Sequence, residues 1–363
     1  HKEDLYMGPS GSGDTTYFYM LWLFTLLLTF AGTIIWSVLD RKRKNYNTLY
    51  YWIRVIVRYY LFFTMVIYGM YKVIKLQFPD PSLDRLVTAY GNSSPMGLAW
   101  TYMGFSKSYN YFTGIAELLG GFLLLSRKTT TIGALVCLGV MTNVFMINIG
   151  YDVPVKLLSF NTILMSIFLL WKDGKRMVAF FLQNRSVPAS HIDMPYKSKR
   201  TKIILITLKW LFIVYITGTN IVQAVQAEKM YGAKAPKPPL HGIYYTEDFV
   251  RNNQHIAPLT TDTSRWKRVI ISSASYASIQ LMNDSTKRYS LKIDTASRKA
   301  VLSSYRDTTA KSVFSYTYNQ PYLELTGLIK EDSIHIKLKR FDEQQFLLMS
   351  RGFHWVSEFP FNR

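Results

Sequence analysis

YFYMLWLFTLLLTFAGTIIWSV, residues 17–38, runs through Leu39 into Asp40-Arg41-Lys42-Arg43-Lys44. The 22 residues carry no formal charge. As a helix they extend roughly 33 Å, enough to cross a hydrocarbon core of about 30 Å. The cations that follow mark the point where the chain leaves the bilayer. The same pattern of apolar run and basic loop recurs as far as about residue 230, and this decides the class of the first part: an α-helical transmembrane bundle.

Five further spans are expected: Tyr51–Leu76, Tyr111–Leu125, Thr131–Ile149, Val155–Trp171 and Ile203–Val225. Six spans result, four of them in a core over residues 50–171. Residues 77–110 read as a polar loop with Pro and Gly, and residues 172–202 as a basic loop. Within the latter, Arg176 to Leu182 is too short to span and reads as an interfacial amphipathic segment. A Pro-rich linker follows the last span over 226–240, where Ala233-Lys234-Ala235-Pro236-Lys237-Pro238-Pro239 should be extended.

Beyond the linker the period changes to two. WKRVIIS from Trp266, YASIQLM from Tyr276, RYSLKID from Arg288, KAVLSSY from Lys299, SVFSYTY from Ser312, YLELTGL from Tyr322, SIHIKLK from Ser333 and QQFLLMS from Gln344 all read as strands. Polar turns such as Asn283-Asp284-Ser285 separate them. Residues 241–363 are therefore expected to form an all-β domain, a lipocalin-like barrel or a sandwich, opening at His241-Gly242-Ile243-Tyr244. The aromatic ending, Phe353-His354-Trp355 to Phe361, is expected to close the core or dock onto the bundle.

The charge balance fits this division. The chain of 363 residues holds 43 Lys and Arg against 23 Asp and Glu. Residues 1–236 contain 25 and 11 of these, and the remainder 18 and 12. Most of the excess lies in the membrane half, where topology accounts for it, so a nucleic-acid partner is excluded. Arg41 to Lys44, Arg127, Lys128 and the cations of 172–202 (Lys197 among them) fall on one side, against only Arg85, Lys107 and Lys156 in the short loops opposite. By the positive-inside rule the basic side is cytoplasmic. Segment 1–16 and the β domain then lie in the periplasm of a bacterium, and the protein in its inner membrane. Residues 1–16 show no signal-peptide pattern. Sequence upstream of His1 is expected, and it could include another span.

Several chemistries are excluded. Cys137 is the sole cysteine, so no intrachain disulfide or thiol pair can form. His1, His191, His241, His255, His335 and His354 are scattered, and none lies in a span at ligand spacing, which removes transmembrane haem ligation and any metal motif. There is no GxGxxG between strand and helix, no phosphate-binding loop and no GxSxG elbow.

Polar residues within the spans carry what functional signal there is, because an ionisable group in hydrocarbon is costly. Glu117, in Gly114-Ile115-Ala116-Glu117-Leu118-Leu119-Gly120-Gly121, sits roughly 9 Å below the outer end of its span. Lys72 lies at similar depth on the second span, roughly 6 Å down, and the two could pair. Asn143 and Asn161 fall in the same half, with Asn148 nearer the surface. The cluster reads either as an interhelical clamp or as a ligand or quinone pocket. Arg54 reads as snorkelling to the headgroups. Arg58, one turn deeper, is balanced between snorkelling and an internal partner. Lys156 is an interfacial anchor or faces an anionic group. Gly120 and Gly121 should allow close helix contact, and Asp152 should cap the helix entered through Pro154.

Residues 50–171 resemble the DoxX family of bacterial membrane proteins. The resemblance rests on the basic start of the second span with Gly69 and Lys72 near its far end, and on Glu117-Leu118-Leu119-Gly120-Gly121 before the turn at Arg127-Lys128. Asn143 to Asn148 followed by Tyr151-Asp152-Val153-Pro154-Val155-Lys156 is similar to a larger bacterial subgroup. The family takes its name from a membrane subunit of a thiosulfate–quinone oxidoreductase. Other members are linked to oxidant resistance, chaperoning or cargo binding. The resemblance implies that Glu117 is the family's acidic position and Lys72 its basic one. Three functions are expected in this order: an accessory or scaffold subunit of an envelope complex acting through the β domain, a membrane subunit of a quinone-linked oxidoreductase, and a lipid or small-molecule binding or transport protein. No cofactor is intrinsic to the chain, and quinone is the one the resemblance admits. Membrane lipids and a protein in the inner membrane or periplasm are the expected partners, and whether the chain is an enzyme is left open.

The topology is testable with single cysteines in a Cys137→Ser background. A membrane-impermeant maleimide applied to intact cells from which the outer barrier has been removed should label Ser93→Cys and spare Ser126→Cys. The reverse pattern would overturn the orientation.

Overall fold

The computed structural model describes residues 11–189, 195–196, 198–304 and 311–362. His1, His191, Lys197 and the first ten residues of the N-terminal segment lie outside the described residues. The chain divides into two compact units, His1–Asp80 with Ser93–Lys234, and Pro81–Asn92 with Ala235–Arg363.

The first unit is helical. Its long helices are α1 (Thr16–Leu39) and α2 (Asn47–Val73); α3 (Leu83–Val87) belongs to the second unit; then follow α4 (Pro95–Phe105), α5 (Lys107–Leu124), α6 (Thr130–Gly150), α7 (Lys156–Trp171), α8 (Gly174–Phe181) and α9 (Lys199–Met230). A helix forms at each of the six expected spans. Four of them, α1, α2, α6 and α9, are long and apolar enough by themselves to cross a membrane. The other two fall short for readable reasons. α7 has 16 residues, and α5 dilutes its apolar character with Lys107, Asn110 and Glu117.

α2 is the hub of this unit and packs against α5, α7 and α9. It buries Leu61, Phe62, Met65, Val66, Gly69 and Lys72, a set spaced at three and four residues and therefore on one face. The α2–α5 contact is close because glycine meets glycine: a Cβ on Gly69 would stand 2.9 Å from the Gly114 carbonyl, and one on Gly114 2.8 Å from the Gly69 carbonyl. Gly120 and Gly121 make the close contacts expected of them, against Cys137 of α6 and Met65 of α2. α1 buries none of its side chains within the unit. Instead it is tied at two points. Trp22 Nε1 donates to Asn161 Oδ1 at 3.2 Å, and Asp14, just before α1, accepts from the Lys156 and Leu157 backbone N–H groups at 2.7 and 3.0 Å.

That carboxylate caps α7, which corrects the expectation for Asp152. Asp152 has φ 51° and pairs with Lys156, and the residue preceding α7, Val155, makes no side-chain cap. The expected loop 77–110 holds α3 and α4. Ser94 accepts from the Gly97 N–H and Pro95 occupies the first turn of α4, so an N-terminal signature outweighs the Pro/Gly content. α9 continues to Met230, five residues beyond the expected span, and takes up the start of the linker.

The second unit is an eight-stranded antiparallel β-barrel. Its strands are β1 (Gly242–Arg251), β2 (Gln254–His255), β3 (Trp266–Ser273), β4 (Tyr276–Leu281), β5 (Thr286–Asp294), β6 (Lys299–Ser304), β7 (Lys311–Asn319), β8 (Tyr322–Ile329) and β9 (Asp332–Phe341). Each pairs with its successor from β3 to β9, and β1 pairs with both β3 and β9, which closes the barrel; the two-residue β2 turns back to pair antiparallel with the end of β1 and is not one of the eight. The barrel interpretation thus holds over the sandwich. Alternation along the strands sends Tyr244, Phe249, Trp266, Ile279, Phe314 and Ile336 inward, and Trp266 lies 5.9 Å from Phe314 between ring centroids. On the outside, Leu83 of α3 packs with Ile243 and Ile270, while the Asp84 carboxylate accepts from the hydroxyls of Ser272 and Ser278. This is why residues 81–92 belong with the barrel.

At the C-terminal end one expectation is corrected, and one of two alternatives is removed. The run from Gln344 is helical, a 3-10 turn over Glu343–Gln345 and then α10 (Leu347–Ser350). With β1 already paired to β9 the sheet has no free edge there, and Asp342 starts the turn by accepting from the Gln344 N–H at 3.0 Å. The aromatic ending does not enter the barrel core: Phe353 is 78% and Trp355 92% exposed.

Gly114→Leu should destabilise the protein in detergent by about 1–3 kcal/mol through overpacking at the α2–α5 crossing. Gly218→Ala, where an added Cβ meets nothing within 4 Å, should leave the melting temperature unchanged. Equal melting temperatures for the two variants would contradict the crossing.

Candidate functional site

Lys72 and Glu117 are brought together by the α2–α5 contact. Lys72 Nζ donates to Glu117 Oε1, and the side chains are 5% and 2% exposed. Two opposite charges out of water need each other, and removing one leaves the other uncompensated. The second carboxylate oxygen, Oε2, is buried and has no hydrogen-bond partner among the described residues. The ammonium, for its part, has three N–H groups, of which this pair uses one.

The pair forms part of the wall of a cavity of about 310 Å³. α2 contributes Met65 and Tyr68 besides Lys72; α5 contributes Tyr109, Phe112, Thr113 and Ala116 besides Glu117. α6 supplies Val140, Asn143, Val144, Ile147 and Asn148, and the start of α7 supplies Leu158 and Ser159. Ala99, Trp100 and Met103 of α4, with Phe78, complete it. α4 is pinned at its C-terminal end, where helix carbonyls lack intrahelical partners. Lys75 Nζ donates to the Gly104 carbonyl at 2.8 Å and also pairs with Asp80, and Asn110 Nδ2 donates to the Met103 carbonyl at 2.6 Å. The cavity is therefore mostly apolar and aromatic, with one ion pair and three amides, Gln77, Asn143 and Asn148, a composition that suits a small ring-bearing molecule with polar substituents.

Of the residues singled out from sequence, Lys72, Glu117, Asn143 and Asn148 line this one cavity. Asn148 is buried and donates to Ser159 Oγ at 3.0 Å, joining α6 to α7. Asn161 does not line it; it accepts from Trp22 and donates to the Leu157 carbonyl, anchoring α1. Lys156 pairs with Asp152 at 2.9 Å and faces Asp14 at 3.8 Å, near the start of α7. Arg58 lies near the middle of α2, about four turns before Lys72, and its Nε donates to the Leu124 carbonyl at the end of α5 at 2.8 Å. Arg54 is 4% exposed and donates to the Leu169 carbonyl at 2.7 Å, so it does not snorkel. Both arginines meet the carbonyl end of a neighbouring helix, α5 or α7, which is the negative end of its dipole.

The aromatic part of the wall was missed from sequence. Phe78, Trp100, Met103 and Tyr109 all lay in or beside the stretch read as a loop. Ser94-Pro95 followed by Ala99 and Met103 at an i, i+4 spacing was the signal that could have found them. Among the described residues, no group of three or more His, Cys, Asp or Glu could hold a metal ion.

One curated relative aligns with this chain, an uncharacterized protein, YwoB, of Bacillus subtilis (strain 168), at 32% identity over 126 residues. The alignment covers 35% of this chain and 80% of that protein, so most of the present chain lies outside it. No family model matches, and no solved structure matches.

Glu117→Leu should cost about 3–5 kcal/mol of stability in detergent, because the Lys72 ammonium is left buried without its partner. Lys72→Met combined with Glu117→Leu should recover most of that loss. A double variant no more stable than the single one would mean that Lys72 is not held by Glu117.

Proposed function

The chain belongs to the family of the Bacillus subtilis protein YwoB, and on that premise we propose that it is a DoxX-like, six-span inner-membrane subunit that binds a quinone-type ring beside the Lys72–Glu117 pair. The observation that carries this reading is the unpartnered Oε2 of Glu117, buried in the wall of an apolar, aromatic cavity. The reduced, quinol form of the ring matches this wall: the ammonium donates to a hydroxyl oxygen and Oε2 accepts from a hydroxyl proton. Trp100, Tyr68 and Phe112 supply faces and edges for the ring. α5 and α7 complete the six spans, shielded by the longer helices around them. The basic loops set the half bearing Arg54 and Arg58 on the cytoplasmic side, and the cavity then belongs to the outer half.

The chain itself contributes binding and orientation, and any electrons pass through a partner protein. The barrel is the module by which the subunit docks onto that partner in the periplasm. Its interior is filled by its own aliphatic and aromatic side chains, which favours the helical unit over the barrel as the ligand site.

The purified full chain in lipid nanodiscs should bind the reduced, quinol form of a decyl-substituted benzoquinone saturably, followed by the change in tryptophan fluorescence. Glu117→Gln should weaken binding tenfold or more, equivalent to about 1.4 kcal/mol. A non-saturable change that is identical in the parent and in Glu117→Gln would reduce the pair to an interhelical clamp.

A further inference from the structure

A second cleft lies at the other end of the helical unit, between α2 and α9. Its volume is about 960 Å³. Tyr51, Arg127, Tyr196 and Lys202 stand at its mouth, Arg58 and Lys209 further in, and Tyr59, Phe63, Phe212 and Ile216 along its length. Four cations thus converge on one groove. No carboxylate belongs to its lining among the described residues.

The partners these cations do have are neutral. Arg58 donates to the Leu124 carbonyl, and Lys209 Nζ donates to the Leu125 carbonyl at 2.6 Å. Arg127 Nη2 donates to the phenol oxygens of Tyr51 and Tyr196, the latter at 2.9 Å. Carbonyls and phenols hold the groups in place but do not neutralise them. Arg58 and Arg127 lie close enough to act electrostatically on Lys209, as like charges. Cations gathered in this way beside hydrocarbon call for an anion. Donors are left over for it, since the guanidinium of Arg127 and the ammonium of Lys209 each have N–H groups beyond those used.

The rest of the groove specifies the anion further. α2 and α9 both start at the basic end, and both present apolar side chains at helical spacing beyond the cations. From Lys209 to Ile216 the wall continues for roughly 10 Å along α9. Ile56 and Leu208, also in the lining, are 66% and 56% exposed within the unit, and so are available to an acyl chain. A free phosphate would use the mouth and leave this wall unused.

We propose that the α2–α9 groove is a binding site for one anionic phospholipid, its phosphate held by Arg127, Lys202 and Lys209 and an acyl chain lying along Phe63, Phe212 and Ile216. Basic pockets between transmembrane helices recognise phosphate headgroups through this combination of charge and apolar wall. The site is separate from the Lys72–Glu117 cavity and does not depend on the function proposed for it.

The test is native mass spectrometry of the full chain released from nanodiscs of phosphatidylcholine mixed with phosphatidylglycerol in equal amounts. One phosphatidylglycerol per chain should be retained, at least tenfold in excess of retained phosphatidylcholine. Arg127→Gln with Lys209→Gln should remove that preference, and Lys202→Gln, an exposed position whose variant should fold normally, should reduce it severalfold. Inorganic phosphate should not displace the lipid. Equal retention of both lipids, a preference unaltered in Lys202→Gln and in the double variant, or displacement by inorganic phosphate alone would each overturn the proposal.

Discussion

The helical unit is built around one ion pair in a place where water is scarce. Lys72 and Glu117 are almost wholly buried, and in such surroundings neither charge is tolerable alone. Their meeting requires α2 and α5 to approach closely, and closeness at that level depends on Gly69 and Gly114, where any side chain would strike the opposite backbone. The order of dependence runs from two missing Cβ atoms, to a helix separation, to a charge pair. The cavity beside the pair follows, because the side chains that surround it come from five helices and cannot all reach its centre.

The two ends of the unit handle buried charge by different means. At the cavity end an ammonium meets a carboxylate, and Lys75 meets Asp80 as well as the Gly104 carbonyl. At the basic end Arg54, Arg58 and Lys209 meet backbone carbonyls from the last residues of α5 and α7 or just beyond them. Those carbonyls are the ones a helix leaves without partners, and the dipole favours a cation there. A carbonyl carries only a partial charge, however, so three cations served mainly by carbonyls retain most of their positive charge. The cavity end is close to neutral within itself, whereas the basic end is electrostatically incomplete. This difference separates a site for an uncharged ring from a site for an anion.

Much of the architecture was legible because periodicity and charge are local. The six helices and seven of the eight strand-like runs lie where the pattern put them, and Lys72 and Glu117 could be matched by counting residues from the ends of their spans. What was not legible depends on long-range closure. The run from Gln344 has strand-like composition, but β9 already pairs with β1, so no edge remains for it. Asp14 caps a helix more than 140 residues away, a contact that no local cap rule reaches. Asn161 shares a depth with Asn143 but points to α1, because depth along a span says nothing of the direction around it. The loop reading of 77–110 gave too much weight to Pro and Gly and too little to Ser94-Pro95, and it therefore lost Trp100 and Met103, part of the cavity wall.

The unused oxygen of Glu117 separates the two interpretations of the pair. A clamp between helices is best served when every donor and acceptor is satisfied, since an unpartnered buried acceptor costs about 1–3 kcal/mol. A Thr or Asn pair would join α2 to α5 with less desolvation, and apolar residues of similar volume often do so at no loss of stability. Neither substitute is present, and the cost of Oε2 is not recovered within the unit. Asn110, only seven residues away on the same helix, spends its amide nitrogen on pinning α4, the element that contributes Trp100 to the cavity. Polar groups at this end thus hold the wall in shape while Oε2 of Glu117 and Oε1 of Gln77, both in that wall, stay open. That arrangement costs stability if its purpose is packing, and it is economical if a molecule with a hydroxyl completes it.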